Sequence, residues 1–142
     1  MTIRLIGSVF AGLLTIAVLD NTIDAVMHGT GVFPPWGEPM HHGLFLLPLA
    51  YRAVDAVIGC TVAARLASDR PMRAALSVGA VGVVLSSLAT IALWKAGPEF
   101  GPAWYPLALV AISLPCSWLG GSIEAWRRRT ESSHRDAVRA DR

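Results

Sequence analysis

The chain has 142 residues, of which 54% are hydrophobic and only 15% charged, with a mean hydropathy of +0.51. Soluble domains carry nearer a quarter charged residues, so the composition argues against a soluble protein and for a membrane one. The net charge is +2, and its one basic run, Arg127–Arg129, is too short and isolated to argue for a nucleic-acid partner.

Four apolar stretches, 5–27, 43–66, 71–94 and 103–125, each reach the roughly 20 residues needed to cross a hydrocarbon core about 30 Å thick. The expected fold is all-α, an integral membrane four-helix bundle over residues 1–126, with a polar cytoplasmic tail over 127–142. Ten of the twelve Lys and Arg residues fall at the ends of spans that share one side, from Arg4 through Arg65, Arg70 and Arg73 to the tail. Lys95 lies in the opposite loop and Arg52 within a span. By the positive-inside rule both termini are then cytoplasmic, in a multi-pass protein of the bacterial inner membrane.

Span one opens on Arg4 and an apolar run like that of a secretory signal. No small-x-small cleavage site follows, so an uncleaved span is expected. Gly7 and Ala11 form a small-xxx-small pair suited to close helix approach. The span ends in "LDNTIDAVMHG", with Asp20, Asn21, Asp24 and His28 at nearly helical spacing. The loop "GTGVFPPWGEPMHHG" follows. Its three prolines stop helix, its glycines allow turns, and Phe33 and Trp36 suit a headgroup zone, so an ordered cap is expected.

Span two carries Tyr51, Arg52 and Asp55, and small residues Ala56, Gly59 and Ala63 on one face. The short return to Pro71, a residue favoured at a helix start, makes spans two and three antiparallel neighbours. Span three has a stripe of Gly79, Gly82, Ser86 and Thr90. Span four has Ser113, Ser117 and Gly121, with Pro115 expected to bend it. These stripes are expected to be helix contact surfaces. Phe33, Pro35 and Pro48 match Phe100, Pro102 and Pro115 at a constant offset of 67, a hint of a duplicated hairpin. Cys60 and Cys116 read as small packing residues rather than a disulfide. The tail is expected to be mobile, and Glu124 to form a solvated ion pair with the neighbouring arginines.

The polar residues of spans one and two decide the functional expectations. A central Asp or Arg costs about 2.5–3.5 kcal/mol facing lipid, so Asp20, Asn21, Asp24, Tyr51, Arg52 and Asp55 are expected to meet inside the bundle. At 1.5 Å per residue, Asp20 and Arg52 both fall roughly 12–13 Å below the outer surface, which predicts an Asp20–Arg52 bridge. Asp55 would be in reach of Arg52, and Tyr51 of Asp55. Three carboxylates against one cation leave at least one of them to hold a proton near neutral pH. His28 would be the next proton station. Asp24, His28, His41 and His42 could offer an outward divalent site, but no spacing resembles a known metal motif. A wet helix entry is the plainer role for His41 and His42, so neither metal nor other cofactor is expected. No GxSxG, P-loop or dinucleotide-binding glycine pattern appears, so no enzyme is expected.

"TGVFPPWG", the "YR" of span two, "ARLASDRPMRAAL" with Gly79 and Gly82 after it, and "GPAWYPLAL…LGG" resemble a recurring type of small bacterial four-span inner-membrane protein, over most of residues 5–121. The resemblance implies the four-span architecture and carries no activity with it. Small multidrug transporters share the span number and a carboxylate in span one, a likeness of size and physics only. Two functions stay open. The first is a small accessory or interaction subunit held by an intramembrane Asp–Arg cluster, with the lipid bilayer and other membrane proteins or further copies of itself as partners. The alternative is an oligomeric proton- or cation-coupled transporter or channel component that uses the same acids.

Overall fold

The computed structural model describes residues 2–67, 70–94 and 101–140. Its elements are α1 (Thr2–Gly29), α2 (Leu46–Leu66), α3 (Pro71–Leu93) and α4 (Trp104–Ala140), with a 3-10 turn at His42–Phe45 leading into α2. No strand occurs among the described residues. All four helices are long and apolar enough to cross a membrane, as a multi-pass protein requires.

The distribution of side chains is inside-out relative to a water-soluble bundle. Ala63, Ala64, Ala74 and Ala75 are fully buried, with Cys60 and Val78 beside them, while Ile3, Phe10, Leu14, Val84, Leu88 and Ile91 face outward. Leaving a large aliphatic or aromatic side chain in water forgoes about 1.5–3 kcal/mol, so such surfaces suit lipid. Small residues inside let the backbones approach, which is how helices associate where lipid removes the hydrophobic drive.

α2 is the central helix and touches the other three; α1 packs mainly on α2, and α3 mainly on α4. Glycines set the crossings. A Cβ on Gly59 would stand 2.7 Å from the Gly12 carbonyl, and one on Gly120 2.7 Å from the Val57 carbonyl, so neither helix pair could close as it does with a larger residue. A Cβ on Gly79 would meet Ser117 at 2.3 Å and one on Gly121 would meet Met72 at 2.8 Å. The stripes predicted on spans three and four do face each other.

Three features depart from the expectations. Gly7 has open space around it, and α1 meets α2 one residue further on, through buried Ser8 and Gly12. The first half of α1, before Asp20, is nearly apolar all round, which left little to choose between the 7/11 and 8/12 faces. The helix of span four runs unbroken through Pro115, and continues past the span as α4 to Ala140, about 55 Å in all. The segment expected to be a mobile tail is thus helical through Ala140. Lys95 and Phe100 lie outside the described residues, as do 68–69 of the α2–α3 link and the last two residues.

Both hairpins are antiparallel, so the 30–41 connection and the start of α4 lie at one end of the bundle, here the connection end. The start of α1 and the α2–α3 link lie at the other, the terminal end. At the connection end Phe33 is buried, and its N–H donates to the Met27 carbonyl at 3.0 Å. Gly31 and Gly37 adopt φ of +76° and +87°, a backbone region that side chains disfavour, and let the connection fold back. The expected ordered cap is present.

Candidate functional site: a polar clasp and the cavity beside it

Near the connection end, α1 and α2 are tied by one carboxylate. Arg52 Nη2 donates to Asp24 Oδ2 at 2.8 Å, and the Tyr51 hydroxyl donates to Asp24 Oδ1. Both Asp24 oxygens are therefore used, by adjacent residues of α2. The expected Asp20–Arg52 bridge and Tyr51–Asp55 bond are not formed; Asp24 takes both donors. The reason is register. The 3-10 turn delays α2 until Leu46, so Arg52 is only six residues, about 9 Å, along it, level with Asp24, which lies about 7.5 Å from the end of α1 at Gly29.

The same register carries down the helix pair. Asp20 and Asp55 each lie nine residues, about 13.5 Å, from the connection ends of their helices, and so stand level with each other on α1 and α2. One turn further, Ile16 meets Gly59, and beyond that Gly12 meets Ala63. Polar residues thus occupy the upper two steps of the α1–α2 seam and small or apolar ones the lower two. Asp55 is 3% exposed. Asp20 Oδ1 and Asp55 Oδ2 are buried and accept no hydrogen bond from another described group, and Arg52 Nε is buried and donates none.

Below the clasp, a cleft of about 150 Å³ is lined by residues of all four helices. Asp20 and Arg52 line it from α1 and α2, Gly82 and Ser86 from α3, Leu109 and Ser113 from α4. A Cβ on Gly82 would come no closer than 3.4 Å to Ser113, so the glycine leaves space here that Gly79, one turn away, does not. Tyr105 lies at the start of α4, and its ring packs 5.2 Å from Phe45. Tyr105 was not singled out in the sequence; its place beside "AWYP" reads as an interfacial aromatic.

The remaining sequence candidates are elsewhere. Asn21 is exposed and its amide donates to the Ala17 carbonyl of its own helix at 2.7 Å. His28 is part of the cap: Nδ1–H donates to the Pro34 carbonyl at 2.7 Å, and its ring stacks on Trp36 at 3.7 Å. His41 Nδ1 accepts the Gly43 N–H at 3.3 Å, so His41 caps the 3-10 turn, and His42 is exposed. Among the described residues no group of three or more His, Cys, Asp or Glu is placed to hold a metal ion. Cys60 and Cys116 are buried free thiols.

A second polar tie closes the terminal end. Glu124 on α4 is 1% exposed, contrary to the solvated pair expected for it. Its carboxylate accepts Arg127 Nε at 2.9 Å, Arg127 Nη2 at 2.8 Å and Arg128 Nε at 2.8 Å. Arg128 Nη2 then donates to the carbonyls of Ala64, Arg65 and Ala67, at 2.9, 3.2 and 3.1 Å. These are carbonyls that the end of α2 leaves without helical partners. Gly120 brings α4 against α2 and Gly121 brings it against α3, and the burial of Glu124 one turn on follows from this close packing.

No family model, curated protein or solved structure matches this chain. The site therefore stands on its own geometry.

Proposed function

We propose that this chain is a small non-enzymatic protein of the bacterial inner membrane, with both termini cytoplasmic, acting as an accessory or interaction subunit. Its orientation rests on the basic residues, which gather at the terminal end of the bundle. The observation that carries the functional reading is the Asp24–Arg52–Tyr51 clasp. A guanidinium inside a span is expensive unless paired, and this one is spent on fixing α1 against α2. The Glu124–Arg128 tie does the same for α4 and α2, and roots the polar extension of α4. A bundle tied at both ends that carries a charged helix past the span suits attachment to membrane or protein partners, including further copies of the chain.

The cavity and its unpartnered Asp20 and Arg52 atoms favour a second reading, a proton- or cation-coupled transporter or channel component. Purified protein in sealed proteoliposomes separates the two. The subunit reading expects no current and no uptake under an imposed proton or sodium gradient. Gradient-driven uptake that Asp20→Asn abolishes, with the helical content of the variant intact, would replace it with the transport reading.

A further inference from the structure

We propose that the groove between α1 and α3 at the terminal end binds one anionic phospholipid, with an acyl chain along α1 and the phosphate held by Arg73 and Arg70. This goes beyond the subunit reading and stands without it, since the bundle itself recognises the lipid. α1 and α3 both start at the terminal end and run parallel. Between them lies a groove of about 360 Å³, walled by Leu5, Ile6, Val9, Phe10 and Leu13 of α1 and by Ser77 of α3. The Ser77 hydroxyl donates to the Arg73 carbonyl at 2.8 Å, so it is satisfied within its own helix and leaves the groove apolar in effect. From Leu5 to Leu13 is eight residues, about 12 Å, close to the depth of one leaflet of a hydrocarbon core about 30 Å thick.

The walls select the tail. Where helices of this bundle cross, small residues face each other, as Gly12 faces Gly59, Gly79 faces Ser117 and Gly120 faces Cys60. The α1 wall of the groove holds no small residue, and its Ile6 and Phe10 are 63% and 66% exposed. Such a surface keeps a further helix at a distance but fits a flexible hydrocarbon chain. The charges select the headgroup. Arg73 stands one turn beyond Ser77 and Arg70 at the start of α3, both exposed and without a carboxylate partner among the described residues. Neither α1 nor α3 has an acid in its first turn, and Arg4, exposed at the same level on α1, adds to the positive field. The acids at this end whose side chains are described, Glu124 and Glu131, lie on α4 and both accept from Arg127. A guanidinium pairs with two phosphate oxygens at once, and basic groups at a groove between spans recognise anionic lipid.

The test is native mass spectrometry of the full-length protein, released from detergent with phosphatidylglycerol or phosphatidylcholine added. One phosphatidylglycerol should bind saturably and ahead of phosphatidylcholine. Arg73→Gln and Arg70→Gln should each weaken that binding about fivefold, whereas Arg135→Gln, exposed on α4, should leave it unchanged. Ser77→Phe, which fills the groove and keeps both arginines, should weaken it as well. Equal binding of the two lipids overturns the proposal, as does full binding in Ser77→Phe or in the Arg70→Gln, Arg73→Gln double variant, or an equal loss in Arg135→Gln. So does glycerol phosphate competing as well as the lipid, the mark of a site for free phosphate. A dimer that Phe10→Ala dissociates also overturns it, by seating a second copy of the chain in the groove.

Discussion

At the scale of single residues, Asp24 carries more of the α1–α2 contact than its two acidic neighbours. It accepts from both Tyr51 and Arg52, and both donors come from one turn of α2. Removing either donor has a different cost. Arg52→Ala leaves a partly buried carboxylate without its cation. Breaking a buried pair costs about 3–5 kcal/mol, and the low end applies because the two side chains keep 30% and 20% exposure. Tyr51→Phe removes one hydrogen bond to a charged acceptor, about 1.5 kcal/mol, and leaves the ion pair. Unfolding of the two variants in bicelles should therefore rank Arg52→Ala well below Tyr51→Phe, with wild type highest. Equal stability of all three would mean that Asp24 finds other partners.

The polar residues themselves were legible in the sequence, because an aspartate or arginine in an apolar run has few places to go. Their pairing was not. Counting from Gly43 as the start of span two placed Arg52 one turn too deep; the helix proper begins at Leu46, after the turn at His42–Phe45. A three-residue error in helix onset is enough to exchange Asp20 for Asp24. Glu124 was misplaced for a different reason: nothing in "GGSIEAWRRR" announces that its two glycines bring α4 close against α2 and α3.

At the scale of helices, small residues decide which faces meet. The α1–α2 seam passes from charged pairs near the connection end to the Gly12–Gly59 crossing in its lower half. A Cβ at Gly59 would stand 2.4 Å from Ile16 Cγ1 and 2.7 Å from a backbone oxygen, and the backbone cannot give way as a side chain can. Gly59→Val should destabilise the bundle by roughly 1–3 kcal/mol, as overpacked cores do. Gly7, with nothing near it, is the internal control: Gly7→Ala should lie within about 0.5 kcal/mol of wild type. Thermal unfolding in detergent checks both. The reverse order would place the seam on the 7/11 face that the sequence first suggested. α3 and α4 present the opposite case, in which serine and glycine stripes at four-residue steps named the contact correctly. Their polar atoms marked one side of an otherwise uniform helix, whereas between Ser8 and Asp20 α1 offers only Thr15.

At the scale of the whole molecule, four spans and their antiparallel order followed from hydropathy and short links, the most robust signals in such a sequence. The continuation of α4 did not, because a polar, mixed-charge segment reads alike as coil or as a solvated helix. What the assembled bundle adds is the convergence of four helices on one cavity, with Asp20 and Arg52 from different helices on its wall. Above that cavity the clasp joins α1, which touches little else, to the central α2.

A double-mutant cycle in lipid bicelles tests that clasp most directly, with Asp24→Asn, Arg52→Gln and the pair together, and Asp20→Asn in place of Asp24→Asn as comparison. The structure predicts a coupling energy of about 1–3 kcal/mol between positions 24 and 52, and a smaller one between 20 and 52. Additive losses at 24 and 52, or stronger coupling of Arg52 to Asp20, would contradict the register on which the clasp and the site beneath it both depend.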